Sequence, residues 1–105
     1  RSFTYIDDII SGIRIAIDKN FKCAIFNLGS DEQTRLTDVV KYLEKYLGKK
    51  AQINLKILQR GDVPNAFADV SIAGKELGFK PQTSISEGIG YYVDWFVKYQ
   101  DEQLP

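Results

Sequence analysis

Three side chains on one short stretch, Gln59, Arg60 and Asp62, offer an amide, a cation and a carboxylate within four residues. An arginine there can hold phosphate through paired N–H groups, and an aspartate can accept from sugar hydroxyls. The same stretch spells Arg60-Gly61-Asp62, a cell-adhesion tripeptide. Its simpler reading is a tight turn, with Gly relieving the backbone and Asp bonding its own main chain. Tyr46 and Lys50 stand four residues apart. On one helix face, an ammonium at that spacing would lower the pKa of the tyrosine, but Gly48 lies between them and should end the helix and split the pair. Cys23 is the single cysteine and opens the apolar run CAIFNLG, where a small buried residue is expected. With no histidine in the chain, the commonest general base at neutral pH is missing. One cysteine and scattered carboxylates form no tetrahedral metal set, so no metal site is expected.

The elements that would carry these residues follow from hydrophobic spacing. Residues 2 to 6 favour an extended start. From Asp7, the apolar positions Ile9, Ile10, Ile13, Ile15, Ala16 and Ile17 predict a helix ending near Asp18 to Asn20, apolar over much of its circumference. Residues 23 to 28 read as a buried strand, and 51 to 58 alternate like a half-exposed one. Between them, Thr37 is a candidate cap for a helix running to Leu47 and stopped by Gly48. A short helix follows Asp69 or Ser71 and stops at Gly78. Ser84 and Glu87 form a capping-box pattern for a last helix, whose stripe is Ile85, Ile89, Tyr92, Val93 and Phe96. Gly88 and Gly90 each cost that helix about 1 kcal/mol relative to Ala, so a neighbour is expected to approach closely there. The tail DEQLP should fray. The expected fold class is α/β: about four helices with two or three short strands, in one domain over residues 1–105.

Fourteen basic residues balance fourteen acidic ones. A neutral chain has no long-range field for nucleic acid or an acidic membrane, so neither is expected as a partner. No apolar run approaches the roughly 20 residues needed to cross a bilayer. A lone cysteine fits a reducing compartment, and a cytoplasmic location is the expectation. None of the eight glycines falls into GxGxxG or GxxxxGK[ST], so no dinucleotide or P-loop site is encoded.

Four stretches, in order, resemble one family. RSFTYIDDIISGI resembles the Arg-Asp-Phe/Tyr-x-x-Val-Asp-Asp segment of extended short-chain dehydrogenase/reductases. FNLGS is similar to their Asn-Leu/Ile-Gly strand end, QRGDVPNAFADVSIAGKELGFKP to their Pro-Gly-Asp-Val…Glu-Leu-Gly-Tyr-x-Pro signature, and SISEGIGYYVDWF to their final helix. The closest flavour is the nucleotide-sugar 4-epimerases, especially those acting on UDP-glucuronate.

The resemblance implies a C-terminal substrate-binding portion whose N-terminal NAD-binding Rossmann domain is not in this chain. It implies a parent reaction of C4 epimerisation through a 4-keto sugar, with NAD in the parent, none bound by this portion alone, and no catalytic residue here. Arg1 matches the arginine that contacts the nucleotide diphosphate, with Ser2 where Asp is usual. Asp62 matches the acidic residue that helps seat the ribose. Gln59 stands where a second phosphate-binding arginine is common and Arg60 where proline is, so either is a candidate for that role. Tyr5 and Asp7 match structural positions. Implied partners are a UDP-sugar, the Rossmann domain and, through Ile9, Ile10, Ile13 and Ile17 left facing water, a second copy of the chain. From another class, the alternative is a stand-alone, non-catalytic α/β interaction module.

Overall fold

A computed structural model describes residues 1–103. Four helices occur among them: α1 Ile6–Lys19, α2 Leu36–Leu47, α3 Ser71–Leu77 and α4 Ile85–Gln103. Their ends follow the expected chemistry closely. Asn20, Gly48 and Gly78 adopt the left-handed conformation at the C-termini of α1, α2 and α3, and each returns its N–H to a carbonyl of the last turn. At the start of α4 the reciprocal cap is made. Glu87 N–H donates to Ser84 Oγ at 3.3 Å, and Ser84 N–H donates to Glu87 Oε2 at 3.4 Å. Asp69 Oδ1 accepts from both Ser71 N–H and Ser71 Oγ just ahead of α3. The Thr37 cap is corrected: α2 starts at Leu36, with Arg35, two residues earlier, at the cap position and no side-chain cap. The tail is helical through Gln103, while its last two residues, Leu104 and Pro105, lie outside the described residues.

The expected strands are not formed among the described residues. Residues 23–28 and 51–58 are irregular, and apart from the partly buried Phe26 and Leu28 their apolar side chains face solvent: Ile25 is 89% exposed and Ile57 94%. A strand is held by ladder bonds to a neighbour, and neither segment finds one here. For the same reason Cys23 is exposed, not buried.

The helices pack in pairs, α2 on α4 and α1 on α3. Val39, Ile89 and Val93 form one small core, joined by Phe3, Tyr42, Leu43 and Ile85. Ala73, Leu77 and Phe79 form the other, against Ile15, Ala16, Phe26, Leu28 and Val70. Of the α4 stripe, Ile89 and Val93 are buried, but Tyr92 is about half exposed. Glycines set the close approaches, at Gly88 and Gly90 as anticipated and at Gly12 besides. A Cβ on Gly88 would lie 3.2 Å from Tyr5 Cβ, and one on Gly12 would meet Leu28 and Phe79 at 2.9 Å.

The two cores share no side chain. They are tied by the N-terminal segment and by Asp8, a buried carboxylate whose Oδ2 accepts from Thr83 N–H at 3.0 Å. The radius of gyration is 16.7 Å, against about 13 Å for a compact domain of this length. This openness matches the apolar surface left uncovered: Ile6, Ile10, Ile13 and Ile17 make an exposed stripe along α1.

Candidate functional site at the junction of three loops

Arg1 lies where three segments meet. Its main chain and that of Thr34 exchange both hydrogen bonds, Arg1 N to Thr34 O at 3.1 Å and Thr34 N–H to Arg1 O at 2.9 Å. This is the geometry of one isolated antiparallel pair. The Arg1 guanidinium reaches the other way, and Nη2 donates to Asp62 Oδ1 at 2.5 Å. The next residues are stitched by hydroxyls: Ser2 Oγ accepts from Ala68 N–H at 3.3 Å, and Thr4 Oγ1 from Ser30 N–H at 2.8 Å. Behind Thr4, Gly29 lets the segments close up, since a Cβ there would lie 3.0 Å from Ala68 Cβ.

Asp62 is held by its own turn. Its N–H donates to Gln59 O at 3.2 Å, Gly61 adopts φ +86°, and Val63 N–H donates to Asp62 Oδ1 at 3.0 Å. The turn reading of Arg60-Gly61-Asp62 is therefore correct in every particular. Of the four site residues anticipated from sequence, the fold joins Arg1 to Asp62 across 61 positions. Gln59 enters through its carbonyl alone. The side chains of Gln59 and Arg60 are exposed and make no hydrogen bond or ion pair among the described residues.

Thr34 was not anticipated, and no sequence signal could have found it, because it acts through its peptide group. Ser2 and Thr4 had a signal: two hydroxyls at spacing two fall on one face of an extended segment.

Tyr46 and Lys50 part as expected. The Tyr46 hydroxyl lies 3.5 Å from Ser86 Oγ, while Lys50 Nζ lies 3.5 Å from Glu44 Oε2. The Ala51 N–H bond, with help from Lys50, holds the Glu44 carboxyl below its ordinary range. Beside the junction, Phe3, Tyr5, Ile85, Ile89, Tyr92 and Trp95 line an apolar groove of about 560 Å³. The Tyr5 ring lies 5.3 Å from that of Tyr91, tilted by 44°, and burial, then the Asp7 charge, pushes its hydroxyl pKa up.

Among the described residues, no helix opens on a glycine-rich turn of the kind that cradles a pyrophosphate through its backbone. No group of three or more His, Cys, Asp or Glu among the described residues could hold a metal ion, and no described helix is long and apolar enough to cross a membrane.

The chain is similar to one portion of the nucleotide-sugar epimerases among short-chain dehydrogenase/reductases. Among the relatives are UDP-glucuronate 4-epimerases. UDP-glucuronate 4-epimerase 4 of Arabidopsis thaliana is 38% identical over 94% of this chain and 26% of its own length. An uncharacterized protein of Methanocaldococcus jannaschii is 43% identical over 96% of this chain and 31% of its own. The crystal structure of UDP-glucuronic acid 4-epimerase from Bacillus cereus, in complex with UDP-glucuronic acid and NAD, superposes with a TM-score of 0.81. It is 34% identical over 94% of this chain and 32% of that one. The chain thus spans about a quarter to a third of the length of the relatives it matches. No protein-family model matches it.

Proposed function

We propose that this chain is the C-terminal, UDP-sugar-binding portion of an NAD-dependent nucleotide-sugar 4-epimerase, forming one domain over residues 1–105. The carrying observation is the Arg1–Asp62 pair, which unites two residues that the family resemblance ties to the nucleotide. Arg1 takes the diphosphate, and Asp62 stands by the ribose. Either Gln59 or Arg60, both exposed on the same turn, adds a second contact to phosphate. The contribution is one of binding energy and orientation: the sugar is held while its C4 centre is inverted.

The redox chemistry falls to residues outside this chain, in a Rossmann domain that binds NAD. Two observations support that division: the lack of a glycine-rich cradle here, and a match that spans under a third of the Bacillus cereus enzyme at high structural similarity. Ile6, Ile10, Ile13 and Ile17 of α1, with the exposed apolar side chains of 23–28 and 51–58, are the surfaces that such a domain would cover. A second copy would cover them in its absence.

The test is to incubate UDP-glucuronic acid and NAD with the whole encoded polypeptide and follow the sugar by NMR. Appearance of the C4 epimer, lost on Arg1→Ala, is the expected result. No epimer from any UDP-hexose, with UDP affinity unchanged in Arg1→Ala, overturns the reading.

A further inference from the structure

Resting on the proposed role of Arg1 at the diphosphate, we propose that Asp62 acts as a positioning residue for Arg1, and that this, more than contact with the ribose, is its main contribution to nucleotide affinity. The contact is through one atom on each side, Nη2 to Oδ1. A guanidinium has five N–H donors in a rigid fork, so one bond anchors one corner of it and leaves the rest for an anion. Asp62 is suited to fix it because its own carboxylate is fixed. Oδ1 also accepts from Val63 N–H, and the Gln59–Asp62 turn sets the backbone. The other end of Arg1 is pinned by the two bonds with Thr34. A side chain with high rotamer freedom is thereby ordered before ligand arrives, which removes part of the entropic cost of binding.

The pair does little for the fold. Its side chains are 50% and 44% exposed, and exposed ion pairs add little to stability. Holding the cation in place for a ligand is the role that remains.

Two ligands separate this from a ribose contact. Affinities of UDP and of uridine, which lacks the diphosphate, are measured by ligand-observed NMR on the whole encoded polypeptide with Arg1→Ala, Asp62→Asn, Asp62→Glu and the double variant Arg1→Ala/Asp62→Asn. Asp62→Asn is expected to weaken UDP roughly three- to tenfold, in keeping with the loss of a charge-assisted bond. Uridine should change less than twofold, and the melting temperature should hold. Asp62→Glu should restore part of the UDP affinity. In the Arg1→Ala background, Asp62→Asn should add nothing further. Equal losses for UDP and uridine, or an undiminished effect without Arg1, overturn the positioning role while leaving the UDP site standing. Unchanged UDP affinity in Arg1→Ala overturns the site itself.

Discussion

Tyr46 of α2 covers Gly90 of α4: a Cβ on Gly90 would fall 2.9 Å from Tyr46 Cζ. Gly12 meets a similar limit in the other core, against Leu28 and Phe79. The two sites should respond differently to alanine. Tyr46 is 39% exposed and can swing outward, and alanine returns about 1 kcal/mol of helix propensity. Gly90→Ala is expected to be near neutral. Phe79 is only 4% exposed and has nowhere to go. Gly12→Ala should cost about 1–3 kcal/mol of overpacking, only partly offset by propensity. Urea denaturation of both variants checks the contrast.

Removing the reciprocal cap of α4 should weaken the α2–α4 core. Ser84→Ala is expected to lose about 1 kcal/mol, since Glu87 N–H loses its acceptor and Glu87 Oε2 keeps only the backbone N–H of residue 84. Ser84→Asp, which keeps an acceptor at the cap, should recover most of it. Equal losses in the two variants would argue that the cap contributes nothing.

Acid should weaken the fold through Asp69 and Glu44. The hydroxyl and then the N–H of Ser71 hold the Asp69 carboxyl below its usual range, and Ala51 N–H does the same for Glu44. A carboxyl depressed in the folded state stabilises it above the unfolded value. That contribution fades as the pH falls through the folded one. Asp69→Asn and Glu44→Gln should therefore flatten the loss of stability below about pH 4. Tyr5 has the opposite sense: its raised value stabilises the fold below about pH 10, and the benefit is lost as the pH rises further. Tyr5→Phe should make the alkaline limb less steep. Melting temperatures from pH 2 to 11 read all three.

The uncovered stripe of α1 predicts self-association of the 105-residue chain by itself. Ile10, Ile13 and Ile17 are 53%, 43% and 70% exposed. Light scattering at rising concentration should show dimers or larger species, and Ile13→Asp with Ile17→Asp should reduce them. A monodisperse monomer at high concentration would argue against it.

The helices were legible because their signals are local. Gly48 and Gly78 mark stops with their own backbone preferences, and Ser84 with Glu87 marks a start within four residues. The strands were misread because a strand is a property of pairs. Ile53, Leu55 and Ile57 alternate as a strand should, yet alternation supplies no partner for their peptide groups. Cys23 was placed inside on the same false premise. Of the proposed site, Gln59, Arg60 and Asp62 stand out by residue type, whereas Arg1 stands out only through the family resemblance. No spacing rule links Arg1 to a carboxylate 61 positions away, and the peptide of Thr34 leaves no trace in side-chain chemistry.

Because the two hydrophobic clusters share no side chain and meet through Asp8 and the first five residues, the molecule should open in separate cooperative units. Amide exchange would then protect α2 and α4 as one block and α1 and α3 as another, with the peptide of Thr83 reporting the moment they come apart.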